Sequence, residues 1–320
     1  MIEKDLTKPI ILQQHDAALR RLPKNHKKRE EIEHTRDTLN AGYKGEQRIQ
    51  YYLSLLPEKR YHIFHDIRLP IGKSFFQIDA LLLSPKANFI IEGKNYAGSL
   101  LLEKNQLTQE INGKNNIYQN PLTQVNRHKI LLKYMFEKYE LPWPVFEHLV
   151  CISNTSAAIT ISPSYHEAEK RVCKADNLLK KIDEYEKFYK KDQIDEKSIH
   201  KIKRFLLKKH TPNQINILEK YDIDKNEIIS GVQCPKCDLI GMNYQHGHWI
   251  CPFCHAISKN AHIQAIHDYF LLIKTSVNNA ELREFLHLPS TRIATYHLSH
   301  LHLSSTGTTK GRVYHQPPLK

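Results

Sequence analysis

Gln77-Ile78-Asp79-Ala80-Leu81-Leu82-Leu83, the turn residues Ser84-Pro85-Lys86-Ala87-Asn88, and then Phe89-Ile90-Ile91-Glu92-Gly93-Lys94 read together as a β-hairpin. Both flanks are short, apolar and β-favouring, and the segment between them carries turn formers. Side chains alternate along a strand, so Glu92 and Lys94 share one face while Ile91 and Gly93 take the other. Asp79 joins them only if the connection has even length or carries a bulge; a loop of Pro85 to Asn88 places Asp79 opposite Lys94. Two carboxylates beside a lysine suit a hard divalent cation such as Mg²⁺, which takes oxygen ligands and keeps several waters. In that reading Asp79 and Glu92 hold the metal, and Lys94 orients a water or stabilises the charge of a phosphate under attack. The plain alternative is a turn aspartate and a solvated Glu92 and Lys94 pair, because short strings of this kind are common by chance.

The flanks add to the pattern. Gly42-Tyr43-Lys44-Gly45-Glu46 opens a helical pattern in which Ile49, Leu53 and Leu56 recur on one face. Glu46 lies on that same face, and an inward-facing acid needs a partner or a metal. Downstream, Gln119-Asn120-Pro121 reads as a helix start, with Asn120 as N-cap and Pro121 at the first helical position. Gln124 and His128 then sit one turn apart, with Arg127 beside them in reach of a phosphate.

The set Gly42-x-x-Gly45-Glu46, Asp79, Glu92-x-Lys94-Asn95-Tyr96-x-Gly98 and Asn120-Pro121-x-x-Gln124 resembles the nuclease-related domain (NERD) family of the PD-(D/E)xK nuclease superfamily, over about residues 37 to 155. The resemblance implies an α/β fold with a restriction-endonuclease-like core, a mixed sheet flanked by helices, and a nuclease site dependent on Mg²⁺ or Mn²⁺. It also implies roles: Asp79 and Glu92 as metal ligands, Lys94 assisting the base, Glu46 as an additional acid, and Gln124 as a substrate or site-organising residue. Gly93 departs from the pattern, since a β-branched residue is more usual there; it loosens the strand without removing a ligand.

Cys234-Pro235-Lys236-Cys237 and Cys251-Pro252-Phe253-Cys254 form two matched knuckles. Each supplies two thiolates from one tight turn, which suits tetrahedral Zn²⁺ in a zinc ribbon, and the segment between them has a turn near Gly247 as a hairpin requires. Disulfides are disfavoured without a secretory signal, and a redox dithiol does not explain two pairs. His246, His248 and His255 are competing ligands that read better as exposed. Cys151, in an apolar run, reads as a small buried hydrophobe.

Beyond the ribbon, Ile263, Ile266, Phe270 and Ile273 recur at helical spacing, a second helix starts at Asn278 or Asn279, and a third follows from Thr291 with Ile293, Tyr296, Leu298 and Leu301 as its apolar set. With the polar hairpin Ser304 to Tyr314, this resembles a small winged-helix-like domain. Arg292, Thr295 and His297 then face a groove while Lys310 and Arg312 touch phosphates. A small helical bundle packed on protein is the other reading.

The chain has 47 Lys and Arg against 34 Asp and Glu, a formal charge of +13, which favours polyanionic partners. No apolar run approaches a membrane span and no signal-peptide core opens the chain, so a cytoplasmic location without a membrane partner is expected. The expected order is a basic helical extension (1–36), the nuclease-like domain (37–184), a charged helical connector (185–229), the zinc ribbon (230–258) and the winged-helix-like module (259–320). The function expected is metal-dependent hydrolysis of DNA in bacterial DNA processing or defence, with RNA also compatible. The competing expectation is a non-catalytic nucleic-acid-binding protein that uses the nuclease fold as a scaffold.

Overall fold

The computed structural model describes residues 1–317, and of Lys310 the backbone alone. The chain divides into two compact units: Met1–Thr7 with Asn40–Pro212, and Lys8–Leu39 with Asn213 onward. In chain order it opens with β1 (Ile2–Lys4), α1 (Ile10–Arg21) and α2 (Arg29–Ser54). The last of these starts well before Gly42. Glu30 and Glu31 in its first turn suit the positive end of the helix dipole, and no proline interrupts the stretch up to Gly42.

The first unit continues with β2 (His62–Ile71), β3 (Ser74–Leu83), β4 (Asn88–Lys94), β5 (Ser99–Leu102), β6 (Gln106–Ile111), β7 (Lys114–Gln119), α3 (Pro121–Lys138), β8 (Phe146–Ile152), β9 (Ala158–Ile161), α4 (His166–Arg171), β10 (Val172–Lys174), α5 (Leu178–Glu186) and α6 (Glu196–Lys209). Its main sheet has the order β1-β2-β3-β4-β8-β10 and mixes antiparallel pairs (β2 with β3, β3 with β4) with parallel ones. Alternation along β4 sends Ile90 to one core and Ile91 to another. Leu122, Val125, Leu132 and Phe136 of α3 fill the first, together with Ile202 and Leu206 of α6. Ile49 and Leu53 of α2 and Leu178 and Ile182 of α5 fill the second. A four-stranded sheet, β7-β6-β5-β9, adds Leu100, Leu102 and Leu107 to the α3 side.

Both outer boundaries of this unit differ from the expected 37–184. Residues 2–4 pair in parallel with β2, and α6 belongs to the first core because its apolar residues recur on one face. Residues 185–209 are therefore not a connector.

The hairpin register also differs from that expected. The ladder pairs Ala80 with Ile91 and Leu82 with Phe89 and ends at Ala80; in that register position 79 falls level with 92 and not with 94. The loop is Ser84 to Ala87 because Asn88 is already in strand: its Oδ1 accepts from the Ser84 N–H at 2.9 Å, and Ser84 Oγ accepts from the Ala87 N–H at 2.9 Å.

The second unit holds α1, α7 (Ile217–Lys220), β11 (Asn243–Gln245), β12 (His248–Ile250), β13 (Ile257–Ser258), α8 (Ala261–Leu272), β14 (Ser276–Asn278), α9 (Asn279–Leu286), α10 (Thr291–His300), β15 (Ser305–Thr306) and β16 (Val313–His315). The helix α1, expected as part of a free extension, is instead bound here: Arg20 and Arg21 donate to Asp268 of α8 at 2.6 and 2.9 Å. The ribbon hairpin β11-β12 turns at His246-Gly247, both at positive φ, as a two-residue hairpin turn demands. The order α8, β14, α9, α10, β15, β16, with the sheet β14-β16-β15, is winged-helix-like. Asn278 caps α9 in a capping box with Glu281. Among the described residues no helix is long and apolar enough to cross a membrane.

Candidate active site

Glu92 and Lys94 leave β4 on the α3 side, as the alternation from Ile90 requires. Asn120 caps α3 by accepting from the Leu122 N–H at 2.8 Å, with Pro121 opening the helix. One turn in, Gln124 reaches the strand. Its Nε2 donates to Glu92 Oε1 at 2.6 Å, and its Oε1 accepts from Lys94 Nζ at 2.9 Å. Lys94 Nζ also donates to Glu92 Oε1 at 2.7 Å. His128, one turn further and buried, brings Nδ1 to 3.4 Å from Glu92 Oε2, an ion-pair separation rather than a hydrogen bond, and that nitrogen has no hydrogen-bond partner among the described residues. Glu92 is thus hydrogen-bonded twice at Oε1, with the His128 ring beside Oε2. His128, read from the sequence as reaching for a phosphate, faces inward to Glu92, whereas Arg127 is exposed.

Asp79 sits where β3 changes face. Ile78 and Leu81, three residues apart, both enter the α3-side core, so alternation breaks between them. Across the ladder the break coincides with Asp66 at φ 50, flanked by the regular pairs His65 with Ala80 and Ile67 with Ile78. The Asp79 carboxylate turns to the β4 backbone, and its Oδ2 accepts from the Gly93 N–H at 2.8 Å.

Gly93 explains its own departure from the expected β-branched residue. A Cβ there would lie 2.6 Å from Cδ1 of Ile49 and 3.5 Å from Asp79 Oδ2. A Cβ on Gly45 would lie 2.6 Å from Ser153 Oγ and 2.8 Å from Asn95 Cβ. Two glycines therefore let α2 approach the end of β4, which brings Glu46 within electrostatic reach of Glu92 and Asp79.

The acids crowd one another. Burial, then the Asp66 and Glu92 carboxylates, push Glu46 up to about 7. Its Oε2 is buried with no hydrogen-bond partner among the described residues. Burial, Glu92 and Glu46 hold Asp79 well above the usual carboxylate range. Glu92 goes the other way: burial raises it, but the His128 and Lys94 interactions outweigh burial and leave it lowered. Lys94 is raised, the Glu92 carboxylate outweighing burial. An orphaned buried carboxylate oxygen beside two more acids fits the oxygen donors that a hard divalent cation takes.

Two further charged residues escaped sequence reading. Asp66 accepts from Gln77 Nε2 at 2.6 Å, and Lys4 of β1 donates to the His65 carbonyl at 2.9 Å with its Nζ 3.9 Å from Asp66 Oδ2. No spacing in the chain links Lys4 to Asp66; only the parallel pairing of β1 with β2 does.

In the second unit the ligand sulfurs of Cys234, Cys237, Cys251 and Cys254 all lie within 4.8 Å of one another. The Sγ separations are 3.6 Å for Cys234 to Cys254 and 3.7 Å for Cys237 to Cys251. A tetrahedron of Zn–S bonds of about 2.3 Å has edges of about 3.8 Å, whereas a disulfide needs about 2.05 Å. The four-cysteine cluster fits structural zinc.

On α10, Arg292 and Thr295 are exposed, and so is Arg312 near the last strand. Lys310 lies in the turn Thr309–Gly311, and its side chain is outside the described residues. His297 does not face a groove. It is buried, with its ring 5.0 Å from Tyr244 and 4.0 Å from His262, while Tyr296, expected in the core, is 52% exposed. The inward face of α10 runs through Ala294, His297 and Leu298, and burial lowers the His297 imidazole to about 4, so it packs as a neutral ring.

Residues 41–153, the segment that carries Glu46, Asp79, Glu92, Lys94 and Gln124, match the family model of the nuclease-related domain. The chain is also similar to an uncharacterized protein of Bacillus anthracis, 27% identical over 194 residues, which cover 58% of this chain and 82% of that protein. No solved structure matches.

Proposed function

We propose that the first unit is a divalent-metal-dependent nuclease that hydrolyses DNA phosphodiester bonds, in bacterial DNA processing or defence. The observation that carries this reading is the constellation at the end of β4: Glu92 gripped by Lys94 and Gln124 at 2.7 and 2.6 Å, Asp79 one strand away, and the orphaned Glu46 oxygen above them. Asp79 and Glu92 are the residues to hold Mg²⁺ or Mn²⁺, which supplies Lewis-acid polarisation of the phosphate and an acidified water. Lys94, whose Nζ is already a donor to two oxygens, offers its ammonium to the phosphate as negative charge builds in attack. Gln124 keeps the Glu92 carboxylate oriented, with the His128 ring beside its other oxygen. Glu46 adds a further oxygen ligand or proton acceptor. In the second unit, zinc holds the ribbon, and Arg292 and Arg312 are the described residues we assign to nucleic-acid contact.

The test is cleavage of linear, circular and single-stranded DNA, and of RNA, by the purified protein with Mg²⁺, Mn²⁺ or chelator. Asp79→Ala and Lys94→Ala are each expected to lower the rate by at least a factor on the order of 10²–10³ while DNA is still bound. Cleavage at wild-type rate by either variant sinks the assignment; binding without cleavage under every condition supports the scaffold reading instead.

A further inference from the structure

We propose that Tyr96 and Tyr118 form a stacking platform for an unpaired nucleobase beside Lys94, so that the strand held at the candidate active site is single-stranded or locally melted DNA. This rests on the nuclease reading of that site.

The two rings stack at a centroid distance of 4.9 Å and an interplanar angle of 28°. They are braced from behind. The Tyr118 hydroxyl donates to Gln109 Oε1 at 3.1 Å, and Gln109 Nε2 donates to the Ala97 carbonyl at 2.9 Å, so the ring is tied to the loop that follows Lys94. Tyr118 lies on β7, an edge strand exposed at every position, and is itself 36% exposed. Tyr96 covers one face of its ring, and the base is assigned to the other.

Both rings are joined to the site by short lengths of chain. Tyr96 is two residues beyond Lys94, and the Lys94 and Glu92 charges are both felt at its phenol. Tyr118 is two residues before Asn120, the cap of the helix that carries Gln124 to within 2.9 Å of Lys94. Two residues of extended chain span only about 7 Å, comparable to the separation between a backbone phosphate and its base. That span reaches from Lys94 to Tyr96, and the exposed Tyr118 ring lies a further 4.9 Å on. In a duplex each base is already stacked and paired, so occupation of such a face selects unpaired bases; any base can stack, so the preference is for strand form and not for sequence.

The experiment uses the full-length Asp79→Ala protein, which separates binding from cleavage. A single-stranded oligonucleotide containing 2-aminopurine, and its duplex, are titrated with that protein and with the same protein carrying Tyr118→Ala or Tyr118→Phe. Tyr118→Ala is expected to weaken single-strand binding roughly 5- to 150-fold and to abolish the fluorescence quenching that stacking produces. Duplex affinity should change less than about twofold, and Tyr118→Phe should keep both affinity and quenching. Tyr118→Thr, a strand-favouring residue without a π face, replaces alanine if alanine loosens β7. Unchanged single-strand affinity and quenching, or equal losses for both strand forms, would overturn the platform. Failure of the wild-type protein to cleave any DNA bears on the nuclease reading alone, since the quenching is measured without catalysis.

Discussion

Two glycines decide how near α2 comes to the candidate active site, and they do so with different tolerance. At Gly93 the obstacle to a Cβ is the flexible end of Ile49, whereas at Gly45 it is Ser153 Oγ and the Cβ of Asn95, which cannot move without the backbone. Gly45→Ala is therefore expected to destabilise the protein by about 1–3 kcal/mol, the usual cost of overpacking, and Gly93→Ala by less than about 1 kcal/mol. Urea unfolding midpoints check the ranking, and a Gly45→Ala protein as stable as wild type would refute the close approach. At the same scale, Tyr296 and His297 show where residue type misleads. Hydrophobicity places tyrosine inside and histidine outside, but helical phase from Ala294 and Leu298 puts His297 inward, where Trp249, His262 and Tyr244 receive its ring.

The zinc ribbon is the element least able to hold itself together by packing. Its strands are two and three residues long, too short to order alone, and its one large fully buried side chain is Trp249, which also donates to His262 Nδ1 at 3.1 Å. Zinc held by the four cysteines would then be the main source of local order in the hairpin. The purified protein should carry one zinc per chain. Removing it with a strong chelator, or by Cys251→Ser, should red-shift the Trp249 emission as the ring meets water. The other tryptophan, Trp143, packs on Phe136 and Phe146 in the first unit; a Trp143→Phe background isolates the signal. Emission that does not move after zinc is gone would show the hairpin to be self-supporting. The knuckles and the hairpin turn at Gly247 were legible because ligand spacing and turn chemistry are local; the inclusion of α1 with α8 was not, because it depends on a buried ion pair between Arg21 and Asp268, 247 residues apart.

At the scale of the whole molecule, stability should fall on mild acidification. Burial, with Arg171 and Lys129 nearby and only partly opposed by Glu147, lowers His148 to about 3; burial and Lys4 lower His210 to about 4. Both are neutral in the folded chain and titrate near 6.5 when unfolded, so the unfolded state takes up protons first. Their contribution is complete above pH 6.5 and is lost progressively as the pH falls towards 4 and 3. These two groups alone are expected to contribute a loss on the order of 2–4 kcal/mol between pH 7 and 4.5, opposed in part by Glu46, whose raised carboxyl takes up its proton first in the folded chain. Urea titrations of wild type and His148→Gln test it: the variant should show the shallower slope, and equal slopes would remove His148 from the account.

What the sequence by itself determined are the features that depend on neighbours in the chain. These are the strand pair around Asp79 and Glu92, the shared face of Glu92 and Lys94, the Asn120 and Pro121 helix start, the helix start at Asn278 or Asn279, and the two cysteine knuckles. Each follows from a period, a cap or a ligand spacing that a few residues suffice to define. Only the tertiary structure decided the strand register around Asp79, the inward placement of His128 beside Glu92, the approach of Glu46 through Gly45 and Gly93, and the arrival of Lys4 at Asp66. It also decided where the units divide, giving α6 to the first and α1 to the second. The physical reason is the same throughout: periodicity says which face of an element is apolar, but it does not say which distant element comes to cover it.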